Sequence, residues 1–128
     1  MSDTHGSVCW TELMTRDIAE AKGFYGDVCG WVFEDVPMSE GTYTLCMMQG
    51  RPVIGMMDMT GVAGFDEVPA HWFSYFAVDD VDASVARTRQ IGGQIIREPF
   101  DVPGTGRIAI IQDPTGAAMG LMTQVEMT

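Results

Sequence analysis

The chain has 128 residues, of which 46% are hydrophobic and 20% are charged. This length and composition are typical of one folded domain with its own hydrophobic core. A formal net charge of −11, with seven scattered basic residues against 18 acidic ones, excludes nucleic acid as a partner because its phosphates would be repelled.

The first half of the chain predicts a strand, a helix and three further strands. Asp17 is expected to cap the helix N-terminus with Glu20 as its capping-box partner, because the residues that follow repeat hydrophobic positions at helical spacing. Gly30 is expected to end this helix, and Pro37 to end the second strand. The four predicted strands are Val8–Thr15, Trp31–Val36, Thr42–Met48 and Pro52–Met59.

The second half follows the same plan after a linker predicted at residues 61–70. Asp80 predicts the start of a second helix, and Gly92 and Gly93 its end. The segment Asp113-Pro114-Thr115-Gly116 predicts a tight turn between the last two strands. The predicted elements are strand His71–Val78, helix Asp80–Ile91, and strands Gln94–Arg97, Gly106–Gln112 and Ala117–Gln124.

The two halves align at a constant offset of 63 residues, without a gap. Asp17 falls on Asp80 and Gly30 on Gly93 in this alignment. A repeat of this length indicates two copies of one supersecondary unit. We therefore predict an α+β fold in which one domain, residues 1–128, contains two tandem βαβββ units at about 8–60 and 71–124.

Localisation is predicted from what the sequence lacks. The polar N-terminus has no hydrophobic signal-peptide stretch, and no hydrophobic run approaches the ~20 residues of a membrane helix. Cys9, Cys29 and Cys46 form no C-x-x-C pair and are predicted to be reduced thiols. We expect a cytoplasmic protein without a membrane partner.

The motifs together resemble the vicinal oxygen chelate superfamily, which includes glyoxalase I, bleomycin-resistance proteins and extradiol dioxygenases. The resemblance covers almost the whole chain and implies mixed sheets that curl into an open cup, and a homodimer. The residues that carry it are the two Asp-capped helices, Phe24-Tyr25 followed by Gly30-Trp31, Val78-Asp79-Asp80-Val81-Asp82-Ala83, Asp113-Pro114-Thr115-Gly116, Pro69-Ala70-His71-Trp72 and Gly106-Arg107.

Chelating members of the superfamily carry one metal ligand on the first and one on the last strand of each unit. The resemblance places these positions at Trp10, Phe73 and Gly120, and the repeat adds Met57 as the mate of Gly120. An indole, a phenyl ring, a thioether and a missing side chain do not supply the imidazole or carboxylate donors that such metals require. The sequence therefore predicts no metal and no other cofactor.

Strand alternation predicts a cup lined by aromatic and methionine side chains with few polar groups, which is typical of small-molecule pockets. Gly120 is expected to leave open space for a ligand atom. Thr11 and Leu13 should face the first helix instead. The residues expected to line the cup are Trp10, Glu12, Met14, Met57, His71, Phe73, Tyr75, Gly120 and Met122.

Glu12 is the candidate catalytic residue, because a carboxylate between Trp10 and Met14 is costly to bury as a charge. Three interpretations are open. Glu12 is protonated and acts as an acid or base, it pairs with Arg107 or another protein cation, or it binds a cationic group of the ligand. His71 is placed either at the cup mouth or in a turn, and Arg107 either binds an anionic ligand group or forms a salt bridge.

The lead hypothesis is a glyoxalase-family protein that binds or sequesters a small aromatic or amphipathic molecule without a metal. The alternative is a metal-independent isomerase, lyase or hydrolase, in which Glu12 is the acid or base with His71 or Tyr75 as its proton partner. A third hypothesis is a regulatory module whose cup is vestigial.

Overall fold

The computed structural model describes residues 4–38, 41–60, 67–102 and 105–124. The chain divides into two compact units. The N-terminal unit comprises residues 10–72, and the C-terminal unit combines residues 1–9 with residues 73–128. Most of the predicted linker, residues 61–66, lies outside the described residues.

The N-terminal unit contains one helix and a four-stranded mixed sheet in the order β2-β3-β4-β1. Strand β1 is parallel to β4, whereas β2, β3 and β4 form antiparallel pairs. The elements are β1 (Val8–Thr15, in this unit from Trp10), α1 (Ile18–Cys29), β2 (Val32–Met38), β3 (Gly41–Met48) and β4 (Arg51–Asp58).

The C-terminal unit has the same element order and a sheet in the order β5-β8-β7-β6. Strand β5 is parallel to β8, and β6, β7 and β8 are antiparallel. The α+β class with a βαβββ arrangement in each unit is confirmed. The elements are β5 (His71–Ala77, in this unit from Phe73), α2 (Val81–Gln90), β6 (Gln94–Val102), β7 (Gly106–Gln112) and β8 (Ala118–Gln124).

The helix ends follow from the predicted capping residues. The Asp17 carboxylate accepts from the Glu20 backbone amide at 3.0 Å, and Gly30 ends α1 in the left-handed region at φ 73°. The Asp17 amide donates to Thr15 Oγ1 at 3.2 Å, the role that a capping box gives to the Glu20 side chain. In the described ranges, neither helix has the length and apolarity needed to cross a membrane.

Two predicted strand ends are wrong, and both involve proline at a sheet edge. Strand β2 continues through Pro37, which lies opposite Thr42. Strand β6 continues beyond Arg97 through Pro99 to Val102, with register shifts on both sides of Arg97. Both strands are the outermost of their unit's sheet, where proline is tolerated because its missing N–H does not interrupt a ladder on both sides.

Each unit buries its core between the helix and one face of its sheet. In the N-terminal unit Leu13 and Met56 are buried with Cys46, and Ile18 of α1 packs against them, which confirms that Leu13 faces the helix. The C-terminal core consists of Val81, Val85, Ala109, Ile111 and Leu121. Because side chains alternate along a strand, the opposite sheet face of each unit carries the other set of residues.

The Asp17 cap provides a test of the fold. Replacing Asp17 with Ala removes the acceptor for the Glu20 amide and should lower the free energy of unfolding by about 1 kcal/mol. Asp27→Ala is the matched control, because Asp27 lies in the last turn of α1, where a negative charge opposes the helix dipole. Urea denaturation should show a loss for Asp17→Ala alone; an equal loss in both variants would contradict the cap assignment.

Candidate functional site

A chain of two hydrogen bonds joins three side chains on one sheet face of the N-terminal unit. The Trp10 indole Nε1–H donates to Tyr43 Oη at 2.9 Å, and the Tyr43 hydroxyl donates to Glu12 Oε1 at 2.7 Å. Glu12 is only 4% exposed, whereas Trp10 and Tyr43 are half-buried. We call Trp10, Tyr43 and Glu12 the Glu12 chain; in it, two half-buried aromatic residues are hydrogen-bonded in series to a buried carboxyl group.

Gly55 allows Tyr43 to reach Glu12 across the sheet. On β4, Gly55 lies beside Glu12 of β1 and opposite Leu45 of β3. Tyr43 precedes Leu45 by two residues and therefore points to the same face. A Cβ atom built at Gly55 would overlap the Tyr43 hydroxyl and ring, so only glycine leaves room for the phenol.

Burial keeps the Tyr43 phenol in its protonated form. Desolvation and the nearby charge of Glu12 raise the pKa of Tyr43 far above its ordinary value of 10.0, and the indole bond from Trp10 offsets only part of this shift. The phenol therefore keeps its proton at neutral pH and donates a hydrogen bond to Glu12.

The corresponding face of the C-terminal unit is aromatic. The rings of Phe73 and Tyr75 meet edge to face, with centroids 5.2 Å apart. Tyr75 pairs with Gly120, and its ring occupies the position that a Cβ of Gly120 would take. The expectation that Gly120 leaves open space is therefore wrong, because Tyr75 fills that space. Met122 lies two residues further along this face and is 4% exposed.

The strand register corrects one assignment made from the repeat. Gly55 lies 43 residues after its partner Glu12, whereas Gly120 lies 45 residues after its partner Tyr75. The constant offset therefore fails by two residues in the last strand of each unit. The structural counterpart of Gly120 is Gly55, and Met57 lies beside Met14 instead.

Arg107 lies on the helix-facing side of its sheet, because its cross-strand partner Thr123 bonds the start of α2. Its guanidinium donates to Asp82 at 2.8 and 3.1 Å and to Asp101 at 3.1 Å. These bonds raise the pKa of Arg107 and lower that of Asp82. The salt-bridge interpretation is confirmed; Arg107 is not on the face that carries Gly120, and its carboxylate partners lie in its own unit rather than at Glu12.

His71 is held by a turn. Its Nδ1–H donates to the Pro69 carbonyl at 2.8 Å, and the residue is half-buried. This geometry agrees with the turn-bonded interpretation of His71. Within the N-terminal unit, Glu12 accepts a hydrogen bond from Tyr43, a residue that the sequence did not single out.

The residues at the four strand positions do not fit the metal of chelating superfamily members. Phe73 has no donor atom, and the Trp10 indole nitrogen uses its N–H on Tyr43 and has no lone pair for a metal. The two last-strand positions, Gly55 and Gly120, have no side chain, and tyrosine rings cover both. Among the described residues, no group of three or more His, Cys, Asp or Glu side chains could hold a metal ion.

Tyr43 is the site residue that sequence reasoning missed. Its position on β3 predicts a strand but says nothing about which β4 residue lies beside it. The available signal was the hairpin register: pairing β3 with β4 so that Leu45 faces Gly55 puts a large aromatic residue diagonally across from a glycine. Such a pair is sterically complementary on one sheet face.

Residues 7–120 match the sequence profile of the Glyoxalase/Bleomycin resistance protein/Dioxygenase superfamily. The chain is 40% identical over 118 residues to "Putative glyoxylase CFP32" of Mycobacterium tuberculosis, covering 91% of this chain and 45% of that protein. It is 38% identical over 117 residues to "Anthracycline biosynthesis protein DauV" of a Streptomyces species, covering 91% of this chain and 41% of that protein. The chain thus spans less than half the length of both relatives.

The fold is also shared with solved structures. The methylmalonyl-CoA epimerase from Mycobacterium tuberculosis superposes with a TM-score of 0.68 over 98% of this chain and 93% of its own length. The two sequences are only 18% identical, so the likeness concerns the fold alone.

The close approach at Gly55 can be tested by stability. Gly55→Ala places a methyl group where the Tyr43 hydroxyl lies and should lower the free energy of unfolding by about 1–3 kcal/mol. Gly23→Ala is the control, because no atom lies within 4 Å of a Cβ at this position in α1, and the change should stabilise the helix by about 0.5–1 kcal/mol. Thermal and urea unfolding measure both changes in stability. A Gly55→Ala variant with unchanged stability would contradict the close packing of Tyr43 against Gly55.

Proposed function

The chain belongs to the Glyoxalase/Bleomycin resistance protein/Dioxygenase superfamily, and we propose that it binds a small aromatic or amphipathic molecule without a metal ion. The observation that carries this proposal is the Glu12 chain. It sets two half-buried aromatic rings over a buried carboxylate. One of these rings, Trp10, stands at a position where chelating members carry a ligand.

The chemistry of the sheet face supports an aromatic ligand. Trp10 and Tyr43 are half-buried, and each contributes an aromatic ring to the Glu12 chain. Aromatic side chains gain affinity from large contact areas and from stacked or edge-to-face contacts. A mostly apolar surface with one polar group is typical of small-molecule sites, because the apolar part provides affinity and the polar group fixes orientation.

The name of one relative supports the same ligand class. DauV is named for anthracycline biosynthesis, and anthracyclines are polycyclic aromatic molecules. A site built from Trp and Tyr rings suits such a planar ligand. The name of the mycobacterial relative, "Putative glyoxylase CFP32", points to an enzyme instead and keeps catalysis as the second candidate.

The second candidate function is metal-independent proton transfer by Glu12, in an isomerase, lyase or hydrolase. The observation in its favour is the 2.7 Å bond from the Tyr43 hydroxyl, which fixes a carboxylate and a phenol in contact. Glu12→Gln separates the two functions, since it abolishes turnover in an enzyme but only changes ligand preference in a binding protein.

The proposal includes a homodimer. Exposed apolar residues of the N-terminal unit offer surface that such an interface would bury: Phe24 is 58%, Val28 64% and Val32 69% exposed. Their combined surface is smaller than the roughly 800 Å² that each partner buries in a standard interface, so neighbouring residues must contribute. Native mass spectrometry of tag-free protein gives the oligomer mass, any retained organic ligand and any bound metal in one measurement.

Binding at the Glu12 chain predicts that Trp10→Ala weakens 2-naphthol binding at least about tenfold, because the indole supplies both ring contact and the bond that orients Tyr43. Trp72→Ala is the matched control: Trp72 packs against Tyr25 and Trp31 on the helix side. The affinity of the Trp72→Ala variant for 2-naphthol should stay within about twofold of that of the unchanged protein. Isothermal titration calorimetry, with circular dichroism as a check of folding, measures both; equal affinity of both variants would place the site elsewhere.

A further inference from the structure

Two of the three cysteines belong to the N-terminal unit, and we propose that they form a thiol-reactive pair. Cys29 ends α1 and is exposed, whereas Cys46 lies on β3 and is fully buried. A small-molecule disulfide oxidises the pair, and the product is a disulfide between Cys29 and Cys46 that joins the end of α1 to the sheet. This modification site lies on the helix side of the unit and is independent of ligand binding at the Glu12 chain.

The packed face of α1 leads from the core to Cys29. Ile18 and Tyr25 of this helix both pack against the cluster that contains Cys46. Residues four apart on a helix lie on the same face, one turn apart. Cys29 follows Tyr25 by four residues and therefore continues this face into the last turn of α1. Trp31, just after the helix, packs against the same cluster, so the chain meets the surroundings of Cys46 on both sides of Cys29.

A second path of contacts joins the last part of α1 to Cys46. Cys46 is paired directly with Phe33 of the neighbouring strand β2. Side chains of such a pair share one sheet face, with their Cβ atoms about 4.5–5.5 Å apart. The Phe33 ring approaches α1 at Gly26, where a Cβ would lie 3.4 Å from Cε2 of the ring. Gly26 and Cys29 are three residues apart and are neighbours on the helix surface.

The difference in exposure sets the order of reaction. Burial raises the pKa of the Cys46 thiol to about 11, and the nearby Cys29 adds to the shift, so Cys46 keeps its proton at neutral pH. The exposed Cys29 thiol is the group that a reagent in solution reaches first.

The reaction consists of two thiol–disulfide exchanges. The Cys29 thiolate attacks the small-molecule disulfide, forms a mixed disulfide with one half of it and releases the other half as a thiol. Cys46 then gives up its proton and attacks the Cys29 sulfur, which releases the second half as a thiol. Two protein thiols are thus oxidised, and one disulfide is reduced to two thiols.

The test treats the reduced full chain with 2-hydroxyethyl disulfide at about pH 8, where exposed thiols are partly ionised. Trypsin cleaves after Lys22 and leaves Cys29 and Cys46 in one peptide that begins at Gly23, separate from Cys9. Mass spectrometry should show that this peptide has lost the mass of two hydrogen atoms. A mixed disulfide that persists on Cys29, or a disulfide between two chains, would overturn the pair.

Three variants locate the reaction. Cys29→Ser lies at an exposed position and should prevent the disulfide, whereas Cys46→Ala should stop the reaction at the mixed disulfide on Cys29. Cys9→Ser is the matched control, because Cys9 belongs to the C-terminal unit and its Sγ donates to the Tyr75 carbonyl at 3.5 Å, a bond that a hydroxyl can also make. Loss of the disulfide in Cys9→Ser, or its survival in Cys29→Ser, would overturn the assignment.

Thermal unfolding distinguishes a pair that is adjacent in the native fold from one that is trapped in an open chain. A disulfide that fits the native geometry restricts the unfolded chain between residues 29 and 46 and should raise the Tm by at least about 5 °C. Reduction with dithiothreitol should restore the original Tm. A Tm that falls on oxidation would show that the disulfide forms only when α1 leaves the sheet, and would overturn the native pair.

Discussion

The close approach of Tyr43 to Gly55 is the constraint on which the candidate site depends. A carboxylate that is only 4% exposed needs a hydrogen-bond donor, and Glu12 receives one from a strand that is not its neighbour. Tyr43 on β3 can reach β1 only by passing over β4 at a residue without a side chain. The glycine therefore allows Tyr43 to reach the buried carboxyl group, and the two hydrogen bonds in turn hold the phenol and the indole.

The two faces of each sheet carry different groups of residues. The helix-side face contains the core, with Leu13, Cys46 and Met56 in one unit and Ala109, Ile111 and Leu121 in the other. The opposite face carries the Glu12 chain in the N-terminal unit and Phe73, Tyr75 and Met122 in the C-terminal unit. Because side chains alternate along a strand, the pattern that stabilises the core also determines which residues are presented on the other face.

A common arrangement holds in both units, although different strands supply the aromatic residue. In each unit a glycine on the last strand lies beneath a tyrosine ring, which comes from β3 over Gly55 and from β5 over Gly120. The last-strand positions that hold metal ligands in chelating relatives are thus occupied by rings from neighbouring strands. In both units the glycine therefore determines where the tyrosine ring lies.

The sequence by itself determined the helices, the βαβββ order and the alternation of faces, because these depend on local caps, glycines and spacing. Asp17, Gly30 and Asp80 act within a few residues of themselves and were predicted correctly. Only the tertiary structure decided that Tyr43 bonds Glu12, on which sheet face Arg107 lies, and that the Tyr75 ring fills the space beside Gly120. Each of these depends on which residue of another strand lies alongside, and register is set by long-range pairing that a constant repeat offset misses by two residues.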